Sequence, residues 1–138
     1  LGDVYKRQEE DFKQIIKDLE IDDLLDKYPF ECSGGQSQRV AVARTLVMHP
    51  KIIFADEPTG ALDSKSSHDL LECLKLVNDK GQATILMVTH DAFSASYAKE
   101  VYILNDGAIK CKLTKGQDRK EFYDRIIDIQ ASMGSDFS

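Results

Sequence analysis

Two short apolar runs, KIIFAD at residues 51–56 and ATILMVT at residues 83–89, stand on either side of a segment with helical periodicity. This order constrains the fold more than any other feature of the chain. Neither run alternates apolar with polar residues, which predicts strands buried on both faces of a parallel sheet. Between them, Leu70, Leu71, Leu74 and Val77 share one face of a helix expected to start at a Ser64 cap and run to Lys80, with Gly81 at its end. Parallel strands joined through a helix form a right-handed crossover. The pattern therefore predicts an α/β architecture with a mainly parallel sheet.

Upstream, Phe12, Ile15, Ile16 and Leu19 recur at helical spacing, predicting an amphipathic helix over residues 9–20. A short helical stretch should follow until Pro29 interrupts it. Ser33 is placed to cap a further helix that runs through Met48 and ends at His49-Pro50. Downstream, a short helix is expected over residues 92–98, and VYILNDGAIKCKL reads as two strands joined at Asn105-Asp106-Gly107, a strong hairpin signal. A last helix over residues 117–133 carries Phe122, Ile126, Ile129 and Met133 on one stripe. No repeat or linker divides the chain. Residues 1–8 show no periodicity and are expected to be a non-native or disordered end.

The 138 residues include 24 acidic and 18 basic ones, for a net charge of -6, with no long basic run. That balance argues against a sequence-independent grip on nucleic acid. Tyr97 and Tyr102 accordingly read as core or edge aromatics rather than as platforms for bases. Cys32, Cys73 and Cys111 fit neither a zinc spacing nor a disulfide framework, and are expected to be reduced thiols. No apolar run approaches the roughly 18 residues of a membrane span. The expectation is a soluble protein, held to a membrane only through a partner.

In open α/β sheets, ligands sit beyond the carboxyl ends of the strands. The first strand ends in Asp56-Glu57 and the second in Thr89-His90-Asp91. An aspartate at such a position can hold Mg²⁺ through its water shell, because this hard ion takes oxygen ligands and few protein ones. Glu57 points elsewhere and can orient or deprotonate an attacking water. His90 can donate a hydrogen bond to a γ-phosphate or polarise that water. Ser33, Gly34, Gly35 and Gln36 open a helix whose unpaired N–H groups attract an anion, with glycines allowing close approach. A phosphate loop of the form G-x-x-x-x-G-K-[ST] is absent from these residues. The nearest stretch, TGALDSKS, has Thr59 and Ser64 where that motif needs glycines.

Taken together, SGGQSQRVAVARTLVMHPKIIFADEPTGALDS and MVTHD closely resemble the nucleotide-binding domain of ABC transporters. The signature motif, Walker B strand, D-loop and H-loop stand in their usual order and spacing, over roughly Phe12 to Leu113. EPTGALDS, SSHDLL and the tail from Asp118 to Met133 are similar to the subfamily serving exporters of bacitracin-type antimicrobial peptides, related to macrolide and lipoprotein exporters. The resemblance implies the C-terminal part of a P-loop NTPase fold. Residues 9–50 would be helical and carry the signature, residues 51–113 would form the Walker B to H-loop core, and residues 114–138 the C-terminal helix. It also implies that Ser33, Gly34, Gly35 and Gln36 contact the γ-phosphate of ATP held by an opposite subunit. Asp56 becomes the Mg²⁺-associated acid, Glu57 the general base, Asp63 the D-loop aspartate reaching across a dimer interface, and His90 the γ-phosphate switch. Gln38 and Arg39 would support the signature helix.

The implied protein is an ATPase subunit that dimerises around ATP and drives an integral-membrane permease from the cytoplasmic face. One alternative is a soluble ABC ATPase acting on nucleic acid or the ribosome, and another is a non-catalytic interaction fragment. The family's Walker A loop, adenine-stacking aromatic and Q-loop precede the signature, and they do not occur in this sequence. The chain is therefore expected to be the C-terminal half of such a domain and to bind and hydrolyse ATP negligibly by itself. Calorimetric titration with ATP should give no binding signal, and micromolar affinity would contradict the expectation.

Overall fold

In a computed structural model, which describes residues 2–28 and 31–134, the chain forms two compact units, one ending at Val88 and the other starting at Thr89. The first unit contains α1 (Gly2–Asp18), a 3-10 turn (Asp22–Leu24), α2 (Gly34–Val47), β1 (Ile52–Asp56), α3 (Ser64–Asp79) and β2 (Thr84–Val88). β1 and β2 pair in parallel, with Ile53 opposite Ile85 and Asp56 opposite Val88, so α3 is the crossover that the periodicity predicts. Ile15, Ile16 and Leu19 are buried with Ala43 and Leu46 of α2 and Val77 of α3, while Phe12 stays 41% exposed. Cys32, a partly buried side chain, packs on this core.

The second unit contains α4 (Ala92–Ala95), β3 (Glu100–Asn105), β4 (Ala108–Thr114) and α5 (Arg119–Gly134). β3 and β4 are antiparallel, and Asn105 pairs with Ala108 across the two-residue turn Asp106-Gly107. Both turn residues have positive φ, 51° and 73°. That combination belongs to the hairpin turn whose twist matches the strands, and an Asp-Gly pair tolerates it well. Phe122 and Ile126 of α5 are buried against Leu113 and Ala92. Among the described residues the cysteines are free thiols, and no helix is long and apolar enough to cross a membrane.

Several expectations need correction. α1 begins at Gly2 rather than Glu9, so the aperiodic opening residues are helical from Gly2 onward, and a Glu9–Lys13 ion pair of 2.9 Å lies one turn apart within it. The cap of α3 is Asp63, whose carboxylate accepts the Ser66 N–H, rather than Ser64. The strands are not buried on both faces. Ile53 is 9% exposed, but Ile52 and Phe54 are 64% and 61% exposed, and Leu86 and Val88 of β2 share their face. The physical reason is that, among the described residues, this sheet has two strands and the core cluster joins the helices to the side that carries Ile53 and Ile85. α4 is shorter than expected, and α5 starts at Arg119 rather than Gln117. The expected break at Pro29 lies outside the described residues.

One polar cluster ties α1 to the end of α3. The Asp18 carboxylate, 6% exposed, accepts from Lys80 Nζ at 2.7 Å, Gln14 Nε2 at 2.8 Å and Gln82 Nε2 at 3.4 Å. The Lys80 hydrogen bond leads the causes that hold its pKa below the ordinary carboxylate value, outweighing the opposing effect of burial. A lowered folded pKa stabilises the fold fully above the unfolded pKa, and that contribution disappears as pH falls through the folded value. Asp18→Asn should therefore cost about 1 kcal/mol at neutral pH, reduced by the exposure of Lys80. The loss should shrink at acid pH in urea unfolding followed by circular dichroism. An equal loss at both pH values would contradict this assignment.

Candidate functional site

The glycine turn before α2 is a closed capping box. Ser33 Oγ accepts the Gln36 N–H at 3.1 Å, and Gln36 Oε1 accepts the Ser33 N–H at 3.0 Å. This reciprocal pair fixes the entry of the chain into the helix. The Ser33 hydroxyl retains its proton for donation, whereas the Gln36 side-chain oxygen is engaged. The N–H groups of Gly34 and Gly35 belong to the first turn, whose donors have no intrahelical acceptor. No acidic residue lies in that turn to compete with an incoming anion.

Gly35 is buried because α3 approaches it closely. A Cβ at this position would lie 3.2 Å from both Cα and Cβ of Ser66, and one on Gly34 would lie 3.1 Å from the Leu62 Cδ2 methyl. The turn is thus held against the start of α3, where Asp63 Oδ1 accepts the Ser66 N–H at 2.7 Å. The Ser66 backbone and side-chain hydrogen bonds, with Lys65 nearby, keep the Asp63 pKa below its ordinary value. The structure therefore brings Ser33, Gly34, Gly35 and Gln36 together with Asp63. It also gives Gly35 a packing role that Gly-Gly spacing alone does not reveal. On the same helix Arg39 is half-buried, and it lines a cleft of about 290 Å³ with Cys73, whose thiol burial pushes up to about 11 against the opposing Arg39 charge.

The second group sits at the end of β1. Asp56 is exposed, and Glu57 adopts a left-handed backbone with φ of 43°. Its N–H donates to the Val88 carbonyl at 2.7 Å, extending the parallel pairing one residue beyond the strand. The left-handed conformation takes Glu57 out of the strand's alternation, so the neighbouring carboxylates leave the tip differently. A non-glycine residue held this way stores strain, and such strain concentrates at functional positions. Pro58 disfavours the right-handed helical region for the residue before it but by itself favours extended backbone, so the positive φ of Glu57 is not signalled by the sequence.

In the second unit, His90 is exposed and lies between two pinned neighbours. The Asp91 N–H donates to Thr89 Oγ1 at 3.0 Å, and the Asp91 carboxylate accepts from the N–H groups of Phe93 and Ser94 and from Ser94 Oγ at 2.7 Å. Burial works against the Asp91 charge, but the hydrogen bonds from Ser94 and Phe93 outweigh it, and its pKa lies below the ordinary value.

For the implied Mg²⁺, the donor set is one exposed carboxylate, Asp56. Among the described residues there is no group of three or more His, Cys, Asp or Glu side chains placed to hold a metal. A single carboxylate completed by water and phosphate oxygens is the shell Mg²⁺ takes in phosphoryl-transfer sites, so these residues fit an ion that arrives with a nucleotide.

A capped helix start whose first-turn amides have no intrahelical acceptor, and a parallel strand tip bearing two carboxylates, stand in an α/β unit. Comparison with known proteins agrees. The family described as ABC transporter matches residues 3–60. The bacitracin export ATP-binding protein BceA of Halalkalibacterium halodurans is 50% identical over 130 residues, 94% of this chain and 51% of that protein. Among solved structures, cbiO1 from Clostridium perfringens, part of the ABC transporter complex cbiONQ, aligns with a TM-score of 0.72 at 27% identity, covering 95% of this chain and 50% of its own. The dimeric structure of MJ0796, a bacterial ABC transporter cassette, aligns with a TM-score of 0.57 at 35% identity, covering 84% of this chain and 50% of its own. The chain is thus similar to ABC transporter ATP-binding proteins over most of its own length and spans about half the length of the relatives it matches.

The two glycines make different demands. Gly35→Ala places a methyl against the backbone of α3, which cannot yield without shifting the helix, and should cost about 1–3 kcal/mol. Gly34→Ala meets only a terminal methyl of Leu62 and should leave the urea midpoint nearly unchanged. Equal midpoints for the two variants would contradict the packing role of Gly35.

Proposed function

We propose that this chain is the signature-bearing and Walker B-bearing part of an ATP-binding subunit that energises an ABC-type exporter, of the kind serving bacitracin-type antimicrobial peptides. The observation that carries this reading is the capped turn at Ser33 fixed against the start of α3. The first-turn amides of Gly34 and Gly35 have no intrahelical acceptor, and the sequence has no phosphate loop beside them, which supports a role for this turn toward an anion. A turn of that kind suits a phosphate delivered by another subunit, and the MJ0796 cassette, a relative in fold and sequence, is dimeric.

In this reading Ser33, Gly34 and Gly35 hold the γ-phosphate of ATP bound mainly by the opposite subunit, and Gln36 keeps the turn in shape through the capping box. Asp56 holds the water shell of Mg²⁺, which supplies charge neutralisation at the phosphates when bound. Glu57 takes the proton of the attacking water, and His90 contacts the γ-phosphate. Asp63 reaches toward the partner from the cap of α3. The subunit works at the cytoplasmic face of the membrane, docked on a permease. The 138 residues alone do not bind ATP, because a β/γ-phosphate cradle is not among them.

The test joins this chain to the half of the Halalkalibacterium halodurans relative that it does not match, and measures steady-state hydrolysis. Glu57→Gln should lower turnover by about 10²-fold or more while ATP binding persists. Unchanged hydrolysis would remove Glu57 from the role of base.

A further inference from the structure

α4 spans four residues, Ala92–Ala95. A helix this short cannot sustain itself, since one turn fixes several residues for a single hydrogen bond. Its form depends on what grips its two ends. At the N-terminal end the grip is the Asp91 carboxylate, immediately after His90. At the other end it comes from a different element, the first residue of α5.

The Arg119 guanidinium lies over the Tyr97 ring with its carbon 4.5 Å from the centroid, and 5.3 Å from the Phe93 centroid. The two rings meet edge to face at 5.5 Å and 73°. Arg119 Nη1 also donates to Ser96 Oγ at 3.2 Å, while that hydroxyl donates to the Phe93 carbonyl at 2.6 Å. Ser94 and Ser96 are fully buried and Tyr97 is 6% exposed. A cation over aromatic faces with a buried hydroxyl acceptor is a geometry that arginine fills and lysine fills poorly. Arg119 is itself anchored, because α5 buries Phe122 and Ile126 and Arg125 Nη1 donates to the Thr114 carbonyl at 3.1 Å.

We propose that Arg119 is a positioning residue for His90: it clamps the C-terminal end of α4, which keeps the Asp91 cap closed and fixes the Thr89-His90-Asp91 turn. Loss of the clamp frays α4, releases the Asp91 carboxylate from the Phe93 and Ser94 amides, and lets the His90 backbone wander. The C-terminal helix thereby becomes a part of the chemistry without touching the reacting atoms. The catalytic consequence rests on the reading of His90 given above, whereas the structural coupling does not.

The experiment has two arms. In the 138-residue chain, amide hydrogen exchange and the His90 ring resonances are followed for Arg119→Ala, Arg119→Met and Arg119→Lys. The alanine and methionine variants should raise exchange at Phe93, Ser94 and Ala95 by about tenfold and shift the His90 resonances, with β3 and β4 unaffected, and lysine should fall between them and the parent. Methionine keeps the side chain's bulk, so a merely volumetric role would leave it like the parent. In the joined protein, Arg119→Ala should lower kcat by about ten- to a hundredfold with KM for ATP little changed. Unchanged exchange and unchanged His90 resonances overturn the coupling whatever the hydrolysis data show. Altered exchange with unchanged kcat overturns the positioning role, and failure of Glu57→Gln to affect turnover in the same protein marks the ATPase reading itself as the part at fault.

Discussion

The close approach of Gly35 to Ser66 is the contact on which the rest of the first unit depends. It brings the N-terminal turns of α2 and α3 so close that a β-carbon on Gly35 would press on the Ser66 backbone at 3.2 Å. α3 is also the crossover between β1 and β2, so the same contact ties the glycine turn to the parallel pair. The Glu57 N–H bond to Val88 then carries that pairing past the strand end and sets the backbone from which Glu57 departs. Packing of backbone on backbone thus controls groups whose chemistry is polar.

Electrostatics reinforce this arrangement. Acidic side chains are stabilising in the first turn of a helix, and in an acidic chain they would be easy to place there. Glu121 occupies that position in α5, yet α2 and α3 have no acid in their first turns. Ser33 and Asp63 satisfy one amide each from just outside the helices. The cap of α2 is uncharged, which preserves the attraction of that turn for an external anion. A neutral serine cap followed by two glycines is therefore more than a helix start: it is a cap that leaves the field of the helix open.

Much of this was legible in the sequence, for reasons that can be named. Helical spacing at Ile15, Ile16 and Leu19 marked a true core face, and Asp106-Gly107 marked a two-residue turn because few residue pairs accept positive φ twice. The Ser33 cap was legible because its side chain acts on a backbone group three residues away. Long-range geometry was not. Nothing local indicates that Gly35 faces α3, that Glu57 is left-handed, or that Arg119 reaches back to Tyr97 over a gap of many residues. The burial of β1 and β2 is not legible either, because an unbroken apolar run signals the burial a strand can accept, whereas the faces actually covered depend on which other elements are present. The choice between Asp63 and Ser64 as cap turned on one residue of register, which periodicity does not resolve.

The central claim is that the Ser33–Gln36 turn serves a phosphate held by a second copy of the subunit. Mixing two inactive variants of the joined protein tests it most directly, one carrying Ser33→Arg and the other Glu57→Gln. If the site is shared, a mixed dimer contains one complete site, built from the intact turn of one copy and the intact strand tip of the other. ATP hydrolysis should then reappear on mixing. If each polypeptide builds its site from its own turn, every site in the mixture is broken, and the absence of recovered hydrolysis in mixtures shown to contain mixed dimers would contradict the account.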